Sequence, residues 1–183
     1  MSKANKSNKA IKYRLYPNDE QKVMFAKTFG CCRFVYNQLL ALQKQRYKDG
    51  ESHLSKLKSN EFATRTLKKD YDFLKEIDKF AVSNAVFHLA DAYDRFFKKQ
   101  NHFPKFKSKR KSKKSYTTNF TNNNILIGKN VIKLPKVGMV KAVIHKLPKD
   151  DWKLKSVTVS QDSVGNYFAS VLFEYEQEDI PSV

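Results

Sequence analysis

The chain has 183 residues, with 36 lysines and arginines against 18 aspartates and glutamates, and a formal net charge of +18 at pH 7. That length holds one good core or two small ones sharing an interface, and 40% hydrophobic with 13% aromatic residues excludes a wholly disordered tail. No apolar run approaches the roughly 20 residues of a membrane span, the basic start MSKANKSNKA lacks the apolar segment of a secretory signal, and so large a cationic surplus points to a polyanion, a phosphate backbone first of all.

In KAIKYRLY, Ile11, Tyr13 and Leu15 alternate with Lys12 and Arg14, which predicts a half-buried strand with a basic outer face, stopped by Pro17. Asn18, followed three residues on by Gln21, reads as a capping box. From Asp19 the pattern is helical, with Val23, Ala26 and Phe29 on one face. Gly30 is expected to part this helix from a second, which turns Val35, Leu39 and Leu42 inward and fades at Asp49-Gly50. Such a pair invites the label helix-turn-helix, although any helical hairpin gives the same pattern. The neighbouring Cys31 and Cys32 cannot staple distant loops, and no second pair completes a zinc site. They read as packing residues in a reducing, cytoplasmic compartment.

A third helix is expected over residues 60–69 and a fourth over 78–100, where Ala81, Ala85, Leu89, Ala92, Tyr93 and Phe96 form one stripe. That spacing is core packing against the first helices. Cations close the fourth helix, where the dipole favours them.

Between residues 98 and 114 there are nine cations and no anion: Lys98, Lys99, Lys105, Lys107, Lys109, Arg110, Lys111, Lys113 and Lys114. On composition alone this is a solvated linker between a helical and a β part. Phe103, Pro104 and Phe106 punctuate it, however, and Tyr116, Phe120 and the run Asn122 to Asn124 follow. Lysines neutralise phosphates, aromatics such as Tyr116 and Phe120 stack on bases, and Asn or Thr bonds to base edges. The stretch therefore reads as a nucleic-acid surface, with Lys12 and Arg14 adding backbone contacts. Linker and grip are compatible.

Helix signals end there. Residues 125–127, 131–134, 139–144, 154–160 and 167–175 are short, β-branched segments divided by Gly128, Pro135, Gly138, Pro148 and Gly165-Asn166. The last two form a hairpin across QDSVGN. A lone first strand needs partners that only the C-terminal strands supply. The expected fold is therefore α+β, a small β-barrel made by the first strand and the C-terminal strands and interrupted by an inserted helical bundle.

In this order, YRLYPNDEQ, FGCCRFVYNQLL, LKEIDKFAVSNAVFHLADAYDRFF, FPKFKSKRKSKKSYTTNFTNNN and IKLPKVGMVK resemble the N-terminal half of the TnpB (OrfB-type) family of bacterial and archaeal insertion sequences. That family is related to the type V CRISPR effectors. The resemblance implies an RNA-guided DNA endonuclease encoded by a transposon. It implies an OB-like wedge barrel over residues 1–17 and 125–183, a helical recognition domain over 18–102 and a basic connector over 103–124. Its partners would be a guide RNA from the transposon end and double-stranded target DNA, beside which a short motif is read while base pairing reads the rest. By position, the family's motif readers fall at Lys79 and Phe80, at Thr121 and Asn122, at Ser83 one turn after Phe80, and at Ser59.

Catalysis in the family belongs to a RuvC-like domain after the wedge, with carboxylates for divalent metal and a zinc-binding insert. That domain is expected to be absent, because EYEQEDIPSV stands where it should begin and Glu174, Glu176, Glu178 and Asp179 carry no Gly-Ile-Asp signature. The expectation is then a cytoplasmic, nucleoid-associated binder without a metal, a cofactor or cleavage of its own, and with no membrane contact. Two alternatives stand beside it: a subunit that completes a separate nuclease domain in trans, and a nuclease-dead, RNA-guided repressor.

Overall fold

In the computed structural model, which describes residues 5–177, the chain runs through β1 (Lys6–Tyr16), α1 (Asp19–Lys48), α2 (Lys56–Glu61), a π-helical turn (Phe62–Leu67), α3 (Lys68–Asp70), a 3-10 turn (Asp72–Lys75) and α4 (Lys79–Phe97). Six strands follow: β2 (Lys114–Asn119), β3 (Leu126–Ile127), β4 (Val131–Leu134), β5 (Gly138–Val143), β6 (Lys153–Gln161) and β7 (Tyr167–Glu176). The alternation in β1 buries Ile11, Tyr13 and Leu15 and leaves Lys12 exposed.

All seven strands join one antiparallel sheet in the order β2-β6-β7-β1-β5-β4-β3. β1 lies inside it, paired with β7 from Lys6 opposite Glu176 to Leu15 opposite Tyr167, and with β5 over Arg14 to Tyr16. First strand and C-terminal strands are thus one sheet with the helices inserted between them, as the lone strand required. The sheet stays open rather than closing into a full barrel, because the two-residue β3 at one edge and β2 at the other do not pair.

The two helices expected on either side of Gly30 are one helix of 30 residues. A glycine inside a helix costs about 1 kcal/mol relative to alanine. Here the buried positions run in unbroken phase through it: Phe25, Phe29, Cys32, Val35, Leu39, Leu40 and Gln43. Each large apolar side chain so buried contributes roughly 1.5–3 kcal/mol, so packing on both sides outweighs the local preference for a break. The phase also corrects the inward face of the first turns: Phe25 is buried, whereas Val23 is 65% exposed and Ala26 faces solvent. The capping box is present, with Gln21 N–H donating to Asn18 Oδ1 at 2.8 Å and Asn18 N–H to Gln21 Oε1 at 3.0 Å.

The third helical run starts at Lys56 instead of residue 60, because Ser55 Oγ accepts the Lys58 N–H and caps it there. In α4, Asp78 is the N-cap and the helix ends at Phe97, with Lys99 in the left-handed region at φ 57°. Residues 114–119, which carried no strand expectation, form β2 against β6, with Tyr116 opposite Val159 and Thr118 opposite Val157. The core is continuous from sheet to helices: Phe25 of α1 lies 6.3 Å from the ring of Tyr116 on β2 and 5.5 Å from that of Tyr167 on β7.

Candidate nucleic-acid interface

The basic connector between α4 and β2 is fastened at several points. Phe103 packs edge-on against Tyr93 at 5.5 Å and Phe96 at 5.2 Å, and Pro104 is buried. Two hydrogen bonds join Asn37 to the backbone of Lys107, and the Lys107 ammonium lies 4.2 Å from the Tyr36 ring centre. Burial holds the Lys107 pKa below its usual value. Then Ser108 and Ser112 close a tight turn: the Ser108 N–H donates to Ser112 Oγ (2.9 Å) and the Lys111 N–H to Ser108 Oγ (3.1 Å). The cations of that turn are presented on an ordered support.

They meet the basic face of β1 there. Lys109, Arg110, Lys111, Lys113 and Lys114 line one open groove with Lys12 and Phe168. Lys12 Nζ stands 4.4 Å from the Phe168 ring centre, and the Arg14 guanidinium stacks between Tyr16 (5.0 Å) and Phe168 (5.3 Å). Arg14 Nη2 also donates to Asn166 Oδ1 at 2.6 Å, which fixes it at the groove's flank. Asp162, the one carboxylate among the described residues that line the groove, is engaged with the backbone N–H groups of Val164 (3.0 Å) and Asn166 (2.8 Å). A cationic trough with aromatic and guanidinium surfaces suits a sugar–phosphate strand.

A second cleft lies between the start of α4 and the turn after β2. Lys79, Phe80, Thr121 and Asn122 line it together, with Lys68, Lys75, Asp78, Asn124 and Lys136 around them. The Lys79 ammonium sits 5.2 Å from the Phe80 ring centre. Asp78 Oδ1 accepts the Phe80 N–H at 3.3 Å, while its Oδ2 is buried without a hydrogen-bond partner among the described residues. Asn122 and Asn123 are both left-handed (φ 47° and 55°), and the Asn124 N–H returns to Thr121 O at 3.0 Å, the pattern of a type I′ turn. Asn124 locks it by accepting the Thr121 N–H (2.8 Å) and donating to Asn119 O (2.9 Å). Asn122 is therefore a turn residue and an exposed cleft residue at once.

Other expected residues fall elsewhere. Tyr116 is not a surface stacker: it is 3% exposed, packed on Phe25 and Phe29, because β2 turns it into the core. Ser59 is 5% exposed within α2 and does not line the cleft. Ser83 is half-buried one turn along α4 from Phe80, and Phe120 is half-exposed at the end of β2. Lys98, Lys99 and Lys105 are exposed but stand outside the groove that the other connector cations line. Glu174 is occupied by Lys6 (3.4 Å) and Lys155 (3.9 Å), and Glu178 and Asp179 lie outside the described residues. Sequence reasoning missed Lys68, Lys75, Lys136 and Phe168, whose roles depend on which loops meet.

Residues 5–52 match the family model HTH_OrfB_IS605, a helix-turn-helix domain; in this structure they are β1, the unbroken α1 and the turn after it. Over 168 residues the chain is 31% identical to a "Putative RNA-guided DNA endonuclease" of Streptomyces pristinaespiralis, covering 91% of this chain and 41% of that protein. It is 30% identical over 174 residues to the "Putative RNA-guided DNA endonuclease InsQ" of Escherichia coli (strain K12), covering 91% of this chain and 40% of that one. It is also 32% identical over 111 residues to the "Virulence protein VsdF" of Salmonella dublin, covering 55% of this chain and 93% of that protein.

Proposed function

The chain belongs to the TnpB (OrfB) family of insertion-sequence proteins and spans about two fifths of the length of the two relatives named as endonucleases, and from that premise we propose that it is the part that holds guide RNA and target DNA and reads a short motif beside the target. The trough of Lys12, Lys109, Arg110, Lys111, Lys113 and Lys114 takes the sugar–phosphate backbone. The cleft of Lys79, Phe80, Thr121 and Asn122 takes the edges of the motif bases. Cleavage is assigned to the length of the relatives that this chain does not span.

The observation that supports this reading most is the cleft. Lys79 and Phe80 are some 40 positions from Thr121 and Asn122 in the sequence, yet all four line one surface, where Lys68, Lys75, Lys79 and Lys136 supply the cations that favour a nucleic acid. The test is selection from a pool of duplexes with a randomised flank beside a site matched to the guide RNA. The loaded wild-type protein should enrich one motif, and Lys79→Ala should lose the enrichment while retaining bulk affinity. A wild type that binds every flank equally would overturn the proposal.

A further inference from the structure

At the other end of α4, about 25 Å along the helix from Phe80, the last turns of α1 and α4 and the start of the connector enclose an aromatic cavity that the two surfaces above do not use. Tyr93 and Phe97 lie nearly parallel, 6.0 Å apart and 24° from coplanar. Phe103 meets Tyr93 edge-on at 5.5 Å, and His53 meets Tyr93 at 4.5 Å and Phe97 at 5.7 Å, also edge-on. The floor is preformed. Gln43, 5% exposed, bonds with His53 Nε2 (3.2 Å), donates to Leu54 O (3.1 Å) and accepts the Leu54 N–H (3.0 Å), so the loop carrying His53 is fixed to α1.

The mouth of the cavity keeps large rings in water. Tyr47 is 85% exposed and Phe97 60%. Neither exposure serves the core, and clustered exposed aromatics mark a binding surface. The rim is cationic: Lys44 and Lys48 line it, and Lys44 Nζ stands 5.6 Å from the Phe103 ring centre and 4.6 Å from that of Phe106. Lys98 and Lys99 directly follow Phe97. The rim carboxylate Glu51 is neutralised by an ion pair with Arg46.

We propose that this cavity takes an unpaired nucleobase from a single-stranded stretch of nucleic acid, stacked on the Tyr47 and Phe97 rings, with Lys44 and Lys48 against the adjoining phosphates. The inference rests on the reading that the chain holds nucleic acid and adds to it a site for unpaired strand. Aromatic walls bind any base through its π-face. In a duplex those faces are already stacked, so only a base free of its helix can enter. An apolar side chain from a protein partner would fill the cavity but would leave the cationic rim without counter-charge.

The experiment compares wild type with Tyr47→Ala and with Tyr47→Ala/Phe97→Ala, using a ten-nucleotide single strand that carries a central 2-aminopurine and a duplex of the same sequence. Tyr47 is so exposed that its loss leaves the fold intact. The wild type should quench 2-aminopurine in the single strand. The double variant should bind that strand about 5- to 100-fold more weakly and the duplex unchanged. Equal single-strand affinity in variant and wild type would overturn the inference alone, as would equal losses on both probes. So would unchanged oligonucleotide binding with an altered sedimentation coefficient, which would assign the cavity to a second copy of the chain. A wild type that binds neither probe would sink the functional reading of the preceding subsection, and this site with it.

Discussion

Asn37 on α1 and Lys107 in the basic connector hold each other as two strands of a sheet would: Asn37 Nδ2–H donates to Lys107 O at 2.9 Å, and the Lys107 N–H donates to Asn37 Oδ1 at 2.8 Å. One side chain thus supplies both halves of a backbone ladder to a segment that has no strand beside it. The pairing fixes the connector next to the turn that presents Lys109 to Lys114.

Asn37→Ala should therefore free the connector while sparing the sheet. Each hydrogen bond removed costs about 1 kcal/mol. Limited trypsinolysis should cut within residues 107–114 faster than in the wild type, and affinity for a plain duplex should fall because the segment must be ordered on binding. Unchanged cleavage rates would show that Phe103 and the Tyr36–Lys107 contact hold the connector without Asn37.

Charge and readout should separate. Replacing Lys109, Lys111 and Lys113 with Gln should weaken binding to all sequences and flatten the dependence of log affinity on log salt by about 0.9 for each duplex phosphate no longer neutralised. Phe80→Ala should instead reduce preference among flanks with little change in that slope. Identical patterns from the two variants in a competition assay would refute the division between trough and cleft.

Gly30→Ala should stabilise the protein by up to about 1 kcal/mol, read as a higher urea midpoint. Its added Cβ would meet nothing closer than the Arg33 guanidinium at 3.9 Å, an ordinary contact, and the glycine already has helical backbone. A lower midpoint would mean that the helix needs its glycine after all.

Cys31 and Cys32 should stay unreactive in the native state. Burial pushes the Cys32 thiol up to about 12, and it raises that of Cys31 as well. Near pH 8, where a free thiol is partly ionised, iodoacetamide should label neither until denaturant is added. Rapid labelling of the folded protein would contradict the packing role.

Stability should decline with acidification below about pH 6.5. Burial holds the pKa values of both His53 and His88 below the usual 6.5. The unfolded chain therefore takes up these protons first. Stability is whole above about pH 6.5 and falls as pH drops through that value towards the folded pKa values. His53→Gln together with His88→Gln should flatten urea midpoints between pH 7 and 5. Asp72 and Asp162, whose pKa values are lowered from 3.8, act at a more acid pH and would not mask the effect.

Where a pattern was local, the residues announced it: the Asn18–Gln21 box and the alternation of Ile11, Tyr13 and Leu15 stand as read, as do Ala81, Ala85, Leu89 and Tyr93 of the α4 stripe, whereas Ala92 and Phe96 are only half-buried and Val82 and Val86 join the core in their place. Gly30 misled because local propensity is a weak force beside an apolar stripe that continues in phase on both sides of it. Tyr116 misled differently. An aromatic next to lysines has the same composition whether it faces solvent or core, and only the pairing of β2 with β6 turns Tyr116 and Thr118 inward. The cleft could not be found by spacing at all, since it forms where the first turn of α4 meets a loop about 40 positions away. Family resemblance named its four residues; tertiary structure brings them to one place.

β1 occupies an inner place in the sheet, and its longest partner is β7, the last strand among the described residues, with Lys6 opposite Glu176. During synthesis most of the first strand must wait for β7, although Arg14 to Tyr16 can meet β5 sooner, while α1 and α4 can already pack on each other. Loop closure over that distance comes before any reward from the sheet. Ribosome-bound intermediates should accordingly hold a helical bundle with a loose N-terminal tail, and any translational stall ahead of β7 should yield a product that chaperones retain.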